Sequence, residues 1–237
     1  MRIVILTNET THHAYFVREM AKHARVAWVA LETQSVIPPF ETVHPYEAHR
    51  DQHERAAWFD GASPGVGEFA EASRISSVND LAVVHRLKDT PPDAVFVFGT
   101  SRLRIETINA CGANVLNLHG GDPLKYRGLD SHLWAIYHRD FKSIVTVLHE
   151  VSPELDRGNI IERQSLPIMR NMQLHELRRV NTEMCIQLCR NALAKLDTKG
   201  VLRSTPQAEL GRYYSHMPSV LKSLCVDRFA AYTRSLA

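Results

Sequence analysis

Short apolar runs, separated by longer mixed segments, constrain this chain more than any other feature. A run without polar alternation is typical of a strand that is covered on both faces. In a strand with one face exposed to solvent, apolar and polar residues alternate. Four runs of this kind occur, at residues 2–6 (RIVIL), 26–31 (VAWVAL), 94–98 (AVFVF) and 113–118 (ANVLNL). They predict the central strands of a sheet that is packed on both sides.

The segment between the first two runs predicts how they are connected. Phe16, Met20 and Ala24 recur every four residues and form one apolar stripe, which indicates an amphipathic helix. A strand, a helix and a second strand in this order are typical of parallel strands joined by a right-handed crossover. We therefore predict an α/β fold of the Rossmann-like class, with a mostly parallel twisted sheet, helices on both faces and a short C-terminal extension.

The length of the chain fits one domain of this kind. A chain of 237 residues can form a sizeable α/β domain with a small appendage and is marginal for two full domains. Residues 1–205 are predicted to form the main domain. Residues 206–237, which contain the GRYYSHMP segment and a short predicted helix, are predicted to form a tail packed on it.

Charge and hydropathy exclude two kinds of partner. The formal net charge is +2 and Lys and Arg are spread along the chain, so no basic stripe indicates nucleic-acid binding. No apolar run approaches the length of a membrane span, and the first run is too short for a signal peptide. We expect a cytoplasmic protein that acts on a small molecule.

The cysteines and histidines do not indicate a metal site or a disulfide framework. The four cysteines include no CxxC pair, and the 13 histidines have no spacing typical of metal ligands. Cys185 and Cys189 lie one helical turn apart on an apolar helix, where we expect small core residues. No bound metal is predicted.

Polar side chains follow the ends of several predicted strands. Asn117 and His119 lie at the end of the ANVLNL run, and residues 99–101 follow the AVFVF run. Asp156 lies in the SPELDRGN turn between two further predicted strands, residues 143–151 and 160–168. In open α/β sheets, ligands bind outside the carboxyl ends of the strands. These residues are therefore predicted to meet in one site.

The order of these motifs resembles the folate-dependent formyltransferase family, which includes glycinamide ribonucleotide, methionyl-tRNA and amino-sugar formyltransferases. The family hallmark is Asn-x-His at a strand end, then a Tyr/Trp-x-Gly turn, then a Leu-Asp-x-Gly loop. The matching residues here are Asn117, His119, Tyr126, Gly128 and the segment 155–158 (LDRG). The resemblance extends over residues 94–168, and the amino-sugar members are the closest in style.

The resemblance implies N10-formyltetrahydrofolate as the formyl donor, a primary amine as the acceptor and no metal. Asn117 and a protonated His119 would donate hydrogen bonds to the oxyanion that forms on the formyl oxygen. Asp156 would assist removal of the amine proton, directly or through a water. Five residues are expected at the folate site: Thr100, Ser101, Leu103, His149 and Leu155.

Two departures from the family pattern concern the acceptor. Residues 121–124 read Gly-Asp-Pro-Leu where the family often has Ser-Leu-Leu-Pro, which adds the carboxylate of Asp122. Residues 7–15 (TNETTHHAY) lack the glycine-rich phosphate loop expected of the glycinamide ribonucleotide enzymes. We expect Asp122, Tyr126 and Arg127 to contact the acceptor, with a nucleotide-linked amino sugar as the first candidate. A homodimer is expected from the relatives.

Other readings remain open at this point. Asn117 and His119 alone could make structural hydrogen bonds, Arg127 could brace a turn, and Asp122 could be a solvated loop acid. The same three catalytic side chains could serve a hydrolase that releases formate from the donor, or formyl transfer to another amine metabolite. A non-catalytic module that binds folate or a nucleotide is a further alternative.

Overall fold

The computed structural model describes residues 1–34, 37–112 and 114–237. Ala113, the first residue of the predicted ANVLNL strand, lies outside them. Within the described ranges there are nine strands: β1 (Arg2–Thr7), β2 (Arg25–Glu32), β3 (Ala72–Ile75), β4 (Ala94–Val97), β5 (Val115–Gly120), β6 (Tyr126–Gly128), β7 (Val145–Glu150), β8 (Ile160–Ser165) and β9 (Arg212–Tyr214).

Seven α-helices occur in the same ranges. They are α1 (Thr11–Ala21), α2 (Pro45–Phe59), α3 (Leu81–Asp89), α4 (Ile105–Cys111), α5 (Ser131–Tyr137), α6 (Leu177–Lys199) and α7 (Ser219–Arg234). A short 3₁₀ turn, Leu174–Glu176, leads into α6.

The main sheet has seven strands in the order β3-β2-β1-β4-β5-β7-β8. The first five strands in this order run parallel. Strand β7 pairs antiparallel with β5, and β8 pairs antiparallel with β7. The strand order reverses between β1 and β4, which is the position where open α/β sheets bind ligands. The predicted Rossmann-like α/β fold with a mostly parallel sheet is therefore confirmed.

Helices cover both faces of this sheet, as the apolar runs predicted. On one face, Phe16 and Met20 of α1 and Cys185 and Cys189 of α6 pack against the sheet in one apolar core. On the other face, α3 and α4 pack on the same strands and form a second core. The four cysteines are free and buried, and burial raises the pKa of the Cys185 and Cys189 thiols, so both behave as core side chains.

Two regular elements of the last 32 residues pack on the rest of the chain. Strand β9 pairs in parallel with β6 and forms a second, two-stranded sheet. Helix α7 is 16 residues long, and its buried Cys225 and Phe229 share a third apolar core with α5 and the segment before α6. This helix is longer than the short one expected. The division of the chain at residue 205 stays a prediction.

Three strands were not predicted. Strand β3 (ASRI) lies at the edge of the sheet and is only partly buried, so its sequence carries no apolar run. Strands β6 and β9 have three residues each, too few for a periodic pattern. Among the described residues, no helix is both long and apolar enough to cross a membrane.

Candidate active site

Strand β5 places Asn117 and His119 on the same face, because side chains two residues apart in a strand point to the same side. The antiparallel register with β7 sets His149 directly opposite Asn117. The Nδ2 atom of Asn117 lies 3.0 Å from Nε2 of His149, and Nδ1 of His149 lies 2.7 Å from the carbonyl oxygen of Glu150. A carbonyl can only accept, so Nδ1 of His149 carries hydrogen and Nε2 accepts from the Asn117 amide.

His119 is buried and held by the turn that follows it. Its Nε2 lies 2.9 Å from the carbonyl oxygen of Tyr126, and Nε2 therefore donates to that oxygen. Its Nδ1 faces Oδ1 of Asp156 at 3.7 Å. With hydrogen on both ring nitrogens, His119 would use one N–H to hold the turn and present the other towards the carboxylate of Asp156.

Asp156 approaches from the loop between β7 and β8 in a left-handed backbone conformation, with φ of 54°. Its Oδ2 accepts a hydrogen bond of 2.7 Å from the backbone N–H of Gly128. Its Oδ1 lies 3.7 Å from Nε2 of His149 as well as 3.7 Å from Nδ1 of His119. The predicted meeting of Asn117, His119 and Asp156 is thus found in the structure.

The environment of Asp156 keeps its carboxyl group ionised. Burial alone raises its pKa, but the charge of His119, the nearby His149 ring and the Gly128 N–H outweigh burial and lower the pKa to about 2. A carboxylate with so low a pKa is a weak base. Its charge is well placed to stabilise a cation in the site.

A narrow cleft of about 40 Å³ opens on one side of these side chains. Asn117, His149 and Asp156 form its inner end. The remaining lining includes Thr100, Ser101, Leu103 and Leu155. All five residues predicted for the folate site therefore line one cleft. Glu32 at the end of β2 fixes its outer loop, because its carboxylate accepts from the backbone N–H and the hydroxyl of Ser101 at 2.6 and 2.7 Å.

A larger cavity of about 270 Å³ opens on the side of His119. It lies between the glycine-rich turn after β5, the start of α5 and the first turn of α6. Its polar lining was not predicted from the sequence: Tyr46, Arg50, Asp130, His132, Arg178 and Asn181. Asn181 could have been found as a polar residue within the apolar stripe of α6, whereas Arg50 and Arg178 carry no such signal.

Arg178 is the most strongly paired cation at this cavity. Its guanidinium forms two hydrogen bonds to the fully buried Glu54, at 2.7 and 2.5 Å, and one to Asp51 at 2.7 Å. Arg50 also bonds Asp51, at 3.1 Å. Two cations therefore face two carboxylates, and this wall of the cavity carries no net charge.

The three residues predicted to contact the acceptor are engaged elsewhere. The carboxylate of Asp122 is buried and forms an ion pair of 2.9 Å with Arg163. Tyr126 holds His119 through its carbonyl oxygen. Arg127 bonds the carbonyl oxygens of Gly211 at 2.7 Å and Leu155 at 3.1 Å, and so braces the tail against the catalytic loop. Their contact with an acceptor stays a prediction.

Close packing explains why glycines follow His119. A Cβ on Gly121 would lie 2.6 Å from Cβ of Ser131 and 3.2 Å from Nε2 of His119. Gly128 has φ of +89°, and a Cβ there would lie 2.2 Å from the carbonyl oxygen of Tyr214. The glycines let the start of α5 and strand β9 press against the turn that positions His119 and Asp156.

No cluster of three or more His, Cys, Asp or Glu side chains in metal-binding geometry occurs in the described parts of the chain. An amide, an imidazole and a carboxylate at the strand ends of an α/β sheet, flanked by two cavities, form the site of an enzyme that transfers a group at a carbonyl carbon.

Comparison with known proteins identifies the group. The model of the Formyl transferase family matches residues 1–188. The chain therefore belongs to the formyl transferase family, and the resemblance and the enzyme class predicted from the motifs are confirmed. A comparison with curated proteins found no match.

Three solved structures illustrate the similarity in fold. The formyltransferase PseJ from Anoxybacillus kamchatkensis, in complex with UDP-4,6-dideoxy-4-formamido-L-AltNAc and tetrahydrofolate, has 16% identity and a TM-score of 0.53, with 91% of this chain and 86% of that chain covered. Glycinamide ribonucleotide transformylase 1 from Symbiobacterium toebii has 19% identity and a TM-score of 0.58, with 86% and 94% covered. HypX from Aquifex aeolicus, in complex with tetrahydrofolic acid, has 17% identity and a TM-score of 0.56, with 99% and 34% covered.

Proposed function

We propose that this protein transfers the formyl group of N10-formyltetrahydrofolate to a primary amine of a small molecule. The observation that carries the proposal is the meeting of Asn117, His119 and Asp156 between two separate cavities. A transfer between two substrates needs a binding space on each side of the reacting carbon. Family membership and the tetrahydrofolate held by PseJ and HypX support the folate donor.

The narrow cleft suits the donor. Its walls are apolar at Val97, Leu103, Val151 and Leu155, and Asn117, His149 and Asp156 add polar groups. An apolar slot with a few polar groups fits a pterin ring. The donor supplies the formyl group, which would lie at the inner end of the cleft beside Asn117.

The side chains then act on the reacting groups as follows. The amide of Asn117 and the Nδ1–H of a protonated His119 donate to the formyl oxygen as the amine nitrogen attacks the carbon. Asp156 stays ionised and stabilises the ammonium that forms, and the ammonium then loses its proton to a water. The bond from the formyl carbon to the folate nitrogen breaks, and that nitrogen receives one proton.

The larger cavity is the proposed acceptor site, and a nucleotide-linked amino sugar is the proposed acceptor. PseJ, which has the same fold, holds a UDP-linked formamido sugar. The cavity beside His119 is lined mainly by neutral and mutually paired polar groups, which suits a polyhydroxylated ligand.

Mass spectrometry of reactions with the folate donor and pooled nucleotide-linked amino sugars tests this proposal. We expect a formyl mass gain on one component of the pool. Release of formate at the same rate with and without amines would identify a hydrolase instead. If the protein binds tetrahydrofolate but yields neither a formylated amine nor formate, a non-catalytic binding module becomes the better account.

A further inference from the structure

Two polar side chains in the larger cavity converge on the space above Gly120. A Cβ on Gly120 would lie 3.1 Å from Cε1 and 3.4 Å from Nδ1 of His132. The same point lies 3.4 Å from Nδ2 of Asn181. His119 lines the same cavity as His132 and Asn181, so both side chains border the space from which an acceptor would approach the catalytic imidazole.

The ring of His132 has only one arrangement of hydrogen that fits its contacts. Its Nε2 lies 2.7 Å from the carbonyl oxygen of Val145, and a carbonyl can only accept, so Nε2 carries the hydrogen. The pKa of His132 is lowered to about 4, mainly by burial and to a smaller extent by the charge of His119, and the bond to Val145 only partly opposes these effects. At neutral pH the ring is uncharged, and Nδ1 presents a lone pair to the cavity.

The amide of Asn181 is oriented from behind in a similar way. The hydroxyl of Thr146 lies 2.7 Å from its Oδ1 and donates to it. The Nδ2 hydrogens therefore point away from Thr146 and towards the space above Gly120. Val145 and Thr146 are consecutive residues of β7, so one strand fixes an acceptor atom and a donor group side by side.

We propose that Nδ1 of His132 accepts an N–H of the attacking amine while Nδ2 of Asn181 donates to an oxygen on the adjacent carbon of the acceptor. This inference rests on the proposed function and narrows its substrate class. The acceptor would be a primary amine with a hydroxyl or carbonyl oxygen on the neighbouring carbon.

This arrangement also orients the nucleophile. A neutral amine has two hydrogens and one lone pair, and only the lone pair attacks the formyl carbon. With one N–H held by His132, the lone pair is left free to face the carbon beside His119. His132 keeps this hydrogen bond and takes no proton. The amine loses its proton to a water near Asp156, and the folate nitrogen receives one proton.

Paired amines provide the test. The protein is assayed with N10-formyltetrahydrofolate and either trans-2-aminocyclohexanol or cyclohexylamine, which differ only in the hydroxyl. One neutral hydrogen bond predicts that kcat/KM favours the amino alcohol by roughly 3- to 10-fold. Asn181→Ala should bring the two rates together, and His132→Gln, which can still donate to Val145, should lower kcat/KM for both amines alike.

Matched controls separate these effects from general damage. His138→Gln lies at the end of the same helix as His132 and outside the cavity, and Asn191→Ala lies on the same helix as Asn181 and outside the cavity. Both controls should keep the wild-type rates and the wild-type preference for the hydroxyl. An Asn181→Ala protein that retains the preference would overturn the role of Asn181.

Nuclear magnetic resonance of ¹⁵N-histidine-labelled protein reports binding without turnover. Addition of trans-2-aminocyclohexanol should shift the Nδ1 resonance of His132, whereas tetrahydrofolate alone should mainly shift His149 in the cleft. A shift at His132 without formylation of any amine would support this subsite and contradict formyl transfer. Formylation with no shift at His132, and with full activity in His132→Gln, would contradict the subsite and leave formyl transfer standing.

Discussion

Oδ1 of Asp156 lies 3.7 Å from Nδ1 of His119, although His119 is on strand β5 and Asp156 is in the loop between β7 and β8. The gap is slightly longer than a hydrogen bond, so the contact is mainly one of charge. The hydrogen bond from Gly128 fixes the other carboxylate oxygen and keeps Asp156 from moving closer. Asp156 therefore stays negatively charged beside the imidazole of His119.

Asp156→Asn tests the role of this charge. The amide has the same shape and can still accept from the Gly128 N–H, so the fold should survive. Without the negative charge, the ammonium that forms during attack is less stable, and kcat should fall about a hundredfold or more. Steady-state formylation measures the effect. A variant with most of the wild-type kcat would show that the proton leaves by another route.

The low pKa of Asp156 also predicts a pH dependence of stability. Its pKa is about 2 in the folded protein, against 3.8 for an ordinary aspartic acid. The lowered value means that the charged form stabilises the fold, fully above about pH 5, and that this stability is lost as the pH falls towards 2. The contribution is roughly 2 kcal/mol.

Urea unfolding at several pH values measures this contribution. The free energy of unfolding of the wild-type protein should exceed that of Asp156→Asn by more at pH 6 than at pH 2.5. Because every other carboxyl group is common to both proteins, the change in their difference isolates Asp156. A difference that does not change with pH would contradict the assignment.

Asn117→Ala removes one donor to the formyl oxygen and the hydrogen bond to His149. Loss of a single oxyanion donor typically lowers kcat by about 10²- to 10³-fold, and we expect that range here. Asn114→Ala is the control, because Asn114 precedes the same strand and its side chain bonds the carbonyl oxygen of Asp93, away from the site. Equal rates in the two variants would remove Asn117 from the mechanism.

The central strands and the catalytic trio could be predicted because their signals are local. Continuous apolar runs identified β1, β2, β4 and β5, and the polar residues at their ends identified Asn117 and His119. Asp156 was found through its motif. These features need no knowledge of how distant segments are arranged.

Contacts that depend on register and distant packing could not be predicted. The bond between Asn117 and His149 exists because β7 is antiparallel to β5 with that particular register, which the alternating pattern of β7 does not specify. Arg178 is held at the cavity wall by its ion pair with the buried Glu54, which lies on a helix more than a hundred positions earlier in the chain. Asp122 was expected to contact a substrate because the sequence does not show its ion pair with Arg163, which lies on the distant strand β8.

Gly128→Ala should damage both stability and catalysis. A Cβ at this position would collide with the carbonyl oxygen of Tyr214, and the positive φ is unfavourable for alanine. Strain of this kind costs roughly 1–3 kcal/mol, and relief requires moving the N–H that bonds Asp156. The midpoint temperature of thermal unfolding and kcat should both fall. Gly67→Ala, where a Cβ would meet nothing within 4 Å, should leave both unchanged.

Arg178→Met tests the buried ion pair at the wall of the larger cavity. The substitution leaves Glu54, which is fully buried, without its bidentate partner. An uncompensated buried carboxylate should lower the free energy of unfolding by about 3–5 kcal/mol. Arg179→Met is the control on the same helix, because its pair with Glu183 spans 3.5 Å and is about one-third exposed, so its loss should cost under about 1 kcal/mol.

The double variant Glu54→Met, Arg178→Met separates the pair from the packing around it. If the cost of Arg178→Met comes from the stranded charge of Glu54, replacing both groups with apolar side chains should restore much of the lost stability. Asp51 keeps Arg50 as a partner and adds no second stranded charge. Urea unfolding of the four proteins gives the coupling energy directly. A double variant that is no more stable than Arg178→Met would show that shape, and not the buried charge, makes this pair necessary.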